Sequence, residues 1–403
     1  MSNLVSLAFY SAVFFVLFML SLPSYGNNPK RKRFFVCFFS VILLTLVAGL
    51  RGLDVGNDTP QYVAVYADLA TSRFPFPNIR FEKGFTMFMY LCYKISSNPR
   101  VLIFLSSLVM NLLLGIFVFH NVKNEREAIL LYCFAAYLGN LSAMRQGMGV
   151  AILLIFLPAL FKKKYVLYLF GVFLAGLFHK ICFIGALLIF APLIKDAKKC
   201  TIWFVALSLI MAVIGQPLIV FIISKTPFYY YIGTEFFQSA TMGGLFNMML
   251  PTFALIFTYP LLNRLAVITT KSHYLADGSV LLSYDDGIKG GQYLYFEDRE
   301  MESLAGPILS NNQGVLENEM KHQVFVWSLL LSECMAIFSI PFAIFSRVYV
   351  VYLLPFLLVL PDEFEKSENA KIKTFLILAL AFMLMLVQGV LRPYWIGVYN
   401  YHF

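Results

Sequence analysis

Charged residues are scarce in this chain: Asp, Glu, Lys and Arg make up 13% of its 403 residues, about half the usual share for soluble domains. That shortage excludes an ordinary water-exposed surface, which needs roughly 25–35% of these residues. Cysteine is scarce too. Cys37, Cys92, Cys133, Cys182, Cys200 and Cys334 lie mostly in or at the ends of apolar runs, and none forms a C-x-x-C pair. Neither a disulfide framework nor a thiolate zinc site is indicated. No glycine-rich nucleotide loop is present, so no cofactor is expected. The net charge of +9 comes as short Lys/Arg clusters beside apolar runs. That is the positive-inside pattern of membrane proteins, and no nucleic-acid partner is expected.

What is abundant is apolar sequence, 60% of the chain. Runs near bilayer-spanning length lie at about 4–22, 34–50, 101–119, 128–143, 146–161, 165–178, 181–194, 201–223, 244–267, 324–345, 348–360 and 374–391. The expected fold is an all-α polytopic integral membrane protein of about twelve transmembrane helices. No basic residue precedes the first run, which argues for a retained span rather than a cleaved signal peptide. Residues 268–322 differ from the rest. Asp277-Gly278, Asp285-Asp286-Gly287 and Gly290-Gly291, with β-favouring residues between them, read as one or two hairpins in a small β-rich hydrophilic insertion. Residues 1–267 and 323–403 then form one transmembrane domain around it.

Orientation follows from the basic clusters. Lys30-Arg31-Lys32-Arg33, Lys162-Lys163-Lys164, Lys195/Lys198/Lys199 and Lys366/Lys371/Lys373 mark the cytoplasmic side. They agree only if 81–96 does not cross, so that segment is expected as a re-entrant or interfacial helix on the outer face. Arg51, Asp54, Asp58, Glu82, Arg145, His179, Arg347 and Arg392 then collect at the outer ends of spans. Basic residues are disfavoured on that face unless they have a task, which points to one polar site opening outward.

Arg51 and Asp54 follow directly on the apolar run 34–50, and Asp58 closes the same stretch. Arg145-Gln146 lies between two apolar runs, with small residues after it at Gly147, Gly149 and Ala151 that allow close helix packing. An arginine held there offers a planar fork to phosphate oxygens; its bland alternative is snorkelling to lipid headgroups. Arg347, in Ser346-Arg347-Val348-Tyr349, repeats the placement. Three such arginines suit a multiply charged anion such as pyrophosphate, each pair worth about 4 kcal/mol at ~4 Å and an intermediate dielectric. His179 ends an apolar run and is a structural residue, a hydrogen-bond donor or a general base. Asp54 and Asp58 share a face if helical, and could hold a divalent cation or pair with Arg51. Tyr62 and Tyr66 at helical spacing, Phe74-Pro75-Phe76-Pro77 and Tyr229-Tyr230-Tyr231 are membrane-belt aromatics or sugar-stacking surfaces.

Taken in order, these pieces resemble a family. Arg51…Val55-Gly56-Asn57-Asp58-Thr59…Tyr62, Glu82-Lys83-Gly84-Phe85, Arg145-Gln146-Gly147-Met148-Gly149-Val150-Ala151, Leu177-Phe178-His179-Lys180 and Arg347-Val348-Tyr349…Tyr352-Leu353-Leu354-Pro355 are similar to EpsG-type polysaccharide repeat-unit polymerases. That is the Wzy class of O-antigen and capsule assembly. The likeness covers roughly 45–190 and 325–362; Lys180 stands where the family often has a small residue, and 268–322 is atypical. The resemblance implies a multi-pass protein of the bacterial cytoplasmic membrane with its active site facing the periplasm or exterior. It would join undecaprenyl-pyrophosphate-linked repeat units, donor and acceptor, with a chain-length regulator protein as a further partner. Arg51, Arg145 and Arg347 would bind the pyrophosphate. Asp58, His179 or Glu82 would act as base, with Gln146, Tyr62 and Tyr349 in support and no metal required. The rival readings are a lipid-linked oligosaccharide flippase, a metal-dependent transferase using a lipid monophosphate sugar, and an O-antigen ligase.

Overall fold

The structure is a computed structural model describing residues 3–22, 29–69, 81–194, 196–226, 229, 232–234, 241–262, 271–274, 280–284, 292–296, 301–394 and 396–403. Its helices are α1 (Asn3–Leu20), α2 (Pro29–Gly49), α3 (Thr59–Asp68), α4 (Lys83–Ile95), α5 (Pro99–Asn121), α6 (Glu125–Tyr132), α7 (Leu138–Ser142), α8 (Met144–Phe161), α9 (Tyr165–Phe178), α10 (Ala197–Ile214), α11 (Gln216–Ser224), α12 (Thr241–Thr258), α13 (Met301–Phe338), α14 (Phe345–Leu357), α15 (Leu360–Glu365) and α16 (Ala370–Leu391). A π turn, Cys133–Tyr137, joins α6 to α7, and a 3-10 helix, Lys180–Leu193, follows α9. Three short strands, β1 (Lys271–Tyr274), β2 (Val280–Tyr284) and β3 (Gln292–Phe296), pair antiparallel in the order β1-β2-β3.

Among the described residues, seven helices are long and apolar enough to cross a membrane: α1, α2, α5, α8, α10, α16 and the stretch Gly243–Leu261. α9, the 3-10 helix and α14 are apolar but shorter. Length and apolarity thus single out seven of the expected twelve. The run expected at 128–143 is broken by the π turn, and that at 201–223 breaks at Gly215, before Pro217. The boundary expected at residue 322 falls inside α13, which starts at Met301 and runs straight into the bundle.

The helix ends gather at two opposite ends of the bundle. At the upper end, where α2 stops, the C-terminal tail folds back over the loop after α2. Gly52 N–H donates to the His402 carbonyl (2.6 Å), Gly56 N–H to Gly397 (2.8 Å) and Tyr401 N–H to Ser6 Oγ of α1 (3.1 Å). Gly56 has φ +101°, and a Cβ there would meet the Ser142 Cα at 3.0 Å, so only glycine lets this loop lie on the end of α7. At the lower end, Asp362 of α15 accepts from the Lys123 and Asn124 backbone N–H groups (3.0 and 2.9 Å) and pairs with Lys321 of α13 (3.2 Å). His322 contacts Glu363 at 2.8 Å, and Lys366 reaches the same carboxylate at 2.7 Å. These contacts clamp α5, α6, α13 and α15 together.

Both ends of α4 lie at the upper end. Glu82, before its first turn, contacts the start of α8. Ser96, after its last, accepts from Tyr66 of α3 (2.7 Å) and leads into α5, whose Phe104 packs on Gly49. α4 is amphipathic, burying Phe85, Thr86, Met89 and Cys92. With α3, α5 and Met144 and Met148 of α8, these build a second core beside the main one. Both ends of α4 thus meet partners at the same end of the bundle.

Candidate functional site

The site grows from the first turn of α8. Arg145 is the second residue of that helix, and its Nη1 meets Glu82 Oε2 at 2.5 Å. Its guanidinium carbon lies 4.4 Å from the Phe81 ring centroid and 5.7 Å from that of Tyr62. Two aromatic faces and a carboxylate thus fix the plane of the fork, a cation–π arrangement strengthened by partial desolvation. Glu82 occupies the cap position of α4 but does not cap it with its side chain. Its second oxygen instead accepts from Lys180 N–H at 3.3 Å. One carboxylate therefore ties α4, α8 and the turn after α9 together.

His179 forms that turn, 8% exposed, with extended backbone. Its Nδ1 accepts from Ile181 N–H at 3.4 Å. A neutral imidazole that accepts at Nδ1 carries its proton on Nε2, so His179 is fitted as a donor more than as a base. Burial holds its pKa below the ordinary 6.5, at about 4; the charges of Arg145 and Arg347 push the same way and Glu82 opposes. Arg347, in the first turn of α14, makes its charge felt at both His179 and Tyr62. Its carbonyl accepts from Gln146 Nε2 at 2.5 Å, which pins α14 to α8. Asp58 precedes α3 and accepts from the Tyr62 hydroxyl at 3.4 Å. Burial, with the Asp58 charge adding to it, pushes the Tyr62 hydroxyl up to about 12.

Arg145, Arg347, Glu82, His179, Gln146, Tyr62 and Asp58 are thus brought to one place. Arg51 and Tyr349 are not. Arg51 is 1% exposed and spends its fork on backbone carbonyls: Val55 (3.2 Å), Leu141 (2.7 Å) and Ala48. Burial lowers its pKa to about 10, against the opposing tyrosines Tyr137, Tyr10, Tyr401 and Tyr62; it remains a cation at neutral pH. Its fork forms a buried staple joining the end of α2 to the end of α7. Tyr349 faces a separate cleft. Asp54 meets His402 Nε2 at 2.9 Å, so the two carboxylates read together from their spacing engage different partners. Among the described residues, no group of three or more His, Cys, Asp or Glu side chains is placed to hold a metal ion. The aromatic segments expected at 74–77 and 230–231 lie outside the described residues.

Phe81 and the Lys180 backbone N–H were not expected. Phe81 stands directly before the Glu82-Lys83-Gly84-Phe85 motif, where an aromatic beside a buried arginine was the available signal. The backbone donor leaves no mark in a sequence.

Among the described residues, seven apolar spanning-length helices with an arginine–carboxylate–histidine cluster at one end of their bundle define a polytopic helical membrane protein. Residues 33–284 match the model of the EpsG family, well over half of the chain, and the chain belongs to that family. Membership marks it as a membrane protein of the polysaccharide-polymerase type. No curated protein and no solved structure matches it.

Proposed function

We propose that the chain is a glycosyltransferase-type polymerase. It would join undecaprenyl-pyrophosphate-linked repeat units into a surface polysaccharide at the outer face of the bacterial cytoplasmic membrane. The observation that carries this reading is Arg145, oriented by Glu82 and stacked on Phe81, with the Arg347 charge acting on the same cluster at His179. Two cations at a partly buried site stabilise charge developing on a departing pyrophosphate. The donor's bond from anomeric carbon to phosphate oxygen breaks, and the acceptor hydroxyl oxygen bonds to that carbon. Its proton passes to Asp58, and lipid pyrophosphate leaves. Glu82 is committed to Arg145 and Lys180, which makes it a positioning group and leaves Asp58 as the base. His179 donates from Nε2 to the anion. With arginines serving the leaving group, the step runs without a metal, and activity survives EDTA.

The bundle makes twelve crossings in this reading. α1, α2, α5, α6–α7, α8, α9, the 3-10 helix, α10, α12, α13, α14 and α16 alternate between its ends, with α4 on the outer face. The 3-10 helix rises ~2.0 Å per residue, so its 14 residues reach about 28 Å, close to the ~30 Å hydrocarbon thickness. A flippase is the rival from another class. It needs a path open to both faces, whereas Asp362, Glu363, Lys321 and His322 lock the lower end together. A ligase would share the donor site and differ only in acceptor.

The test is the glycan ladder of cells lacking the gene, complemented with wild type or with Arg145→Ala. Single repeat units on the outer face, without a ladder in the deletion and the variant, support the polymerase. Single units trapped on the cytoplasmic face would indicate a flippase, and lipid-linked polymer that never reaches its anchor a ligase.

A further inference from the structure

A polar cavity opens at the upper end, bounded by the π turn, α12, α14 and α16. It holds about 200 Å³ of free space and is lined by Phe134, Asn247, Ser346, Tyr349, Gln388 and Arg392, among others. Ser346, Tyr349, Val350 and Leu353 recur at i, i+3, i+4 and i+7, so one face of α14 forms its wall. Arg347 is absent from that wall and acts instead on His179 and Tyr62. α14 thus stands between this cleft and the arginine cluster.

Two groups in the cleft lack partners. Tyr349 is 7% exposed as a whole residue, and its hydroxyl, which lies open to the cleft, makes no hydrogen bond among the described residues. Gln388 is the one polar side chain in the apolar run 375–391 of α16, and its amide is likewise unbonded among the described residues. A lipid tail in the cleft would displace water from both and leave them unsatisfied, which is unfavourable. A π turn in the wall adds to the case, since such turns collect at functional sites. Hydroxyl and amide groups donate and accept, as the hydroxyls of a sugar do, and Phe134 offers an apolar surface to a ring. The volume lies below the ~300–1,000 Å³ of drug-sized sites, which suits a single ring.

We propose that this cleft seats one sugar ring of the acceptor glycan, with Tyr349 and Gln388 as its hydrogen-bonding groups. The proposal rests on the polymerase reading. A polymerisation step needs separate seats for two glycans, and the arginine cluster suits the one that carries the departing pyrophosphate.

The experiment uses the full chain in membrane vesicles, with lipid-linked polymer as donor and single lipid-linked repeat units, both extracted from the producing cells. Each is titrated separately against wild type, Tyr349→Phe and Gln388→Met, two variants close in volume to the originals. The expected result is an acceptor half-saturation raised about tenfold, equivalent to ~1.4 kcal/mol, with donor half-saturation and melting temperature unchanged. Unchanged acceptor half-saturation in both variants overturns the proposal. So does an equal shift for donor and acceptor, or a shift for the donor alone. Arg145→Ala runs alongside: wild-type polymer from that variant defeats the polymerase site itself, whereas a dead Arg145→Ala with unmoved cleft variants defeats only the acceptor seat.

Discussion

Arg145 and Arg51 carry the same group into opposite situations. Arg145 is held from three sides with its side chain still 17% exposed, and the proposed function needs that open edge for a ligand. Its removal is expected to lower the polymerisation rate about 100-fold or more, as losing a preorganised charge donor does. Arg145→Lys recovers little, because an ammonium cannot present the planar fork; a ladder from Arg145→Lys equal to wild type would refute this. Arg51 has no such spare capacity. Arg51→Met leaves buried carbonyls unsatisfied, a loss on the order of 3 kcal/mol or more. It should appear as a lower melting temperature and less protein in the membrane, with substrate half-saturation of the surviving fraction unchanged. His179 sets a pH signature. Its pKa in the fold, about 4, lies below the ordinary 6.5. Between those values the unfolded chain binds a proton that the folded chain refuses. The contribution to stability is therefore complete above about 6.5 and is lost as pH falls towards about 4. The polymerisation rate should show no histidine titration between pH 5 and 7.5. An inflection near 6.5 that vanishes in His179→Gln would contradict the buried, neutral ring.

Elements set how closely these side chains can meet. A Cβ on Gly84 would lie 2.8 Å from the Leu177 carbonyl, and backbone cannot yield as a side chain can. Gly84→Ala is expected to push α4 off the last turn of α9 and unseat Glu82 from Arg145 and Lys180. Activity should fall about tenfold or more while the amount of protein in the membrane changes little; a fully active Gly84→Ala would show that the Glu82 bridge is dispensable. The Gly84 signal was legible only within a motif, because a lone glycine in an apolar chain says nothing about its neighbour. Helix positions were legible from apolar runs, and 146–161, 165–178 and 101–119 fall within two residues of α8, α9 and α5. The breaks were not. A π turn at 133–137 has no composition of its own, and the lower part of α13 carries too many polar residues to read as helix by apolarity. Arg347 and Tyr349 are near neighbours in sequence, but residues two apart on a helix point to different sides.

At the scale of the whole molecule, the question is which ends face which side of the membrane. The proposed topology has twelve crossings and a non-crossing α4, which would put every Lys/Arg cluster on one face and Arg145, Arg347, Glu82 and His179 on the other. If α4 crossed, Lys162–Lys164 would fall outside, against the positive-inside bias. At 13 residues, α4 reaches only about 20 Å, short of the ~30 Å core, and both its ends meet upper-end partners. Background labelling at thiols is low, since Cys37, Cys92, Cys133, Cys182 and Cys334 are buried and Cys200 is partly so. An impermeant maleimide added to intact spheroplasts should therefore label Asn57→Cys and Lys94→Cys. Lys163→Cys and Glu368→Cys should react only after the membrane is opened. Lys94 decides the matter, because it lies on the exposed last turn of α4. Labelling of Lys94→Cys from inside alone would put α4 across the membrane and invert every crossing after it. His179 and Arg347 would then face the cytoplasm, where no lipid-linked glycan awaits polymerisation, and the outward site would fall with the topology.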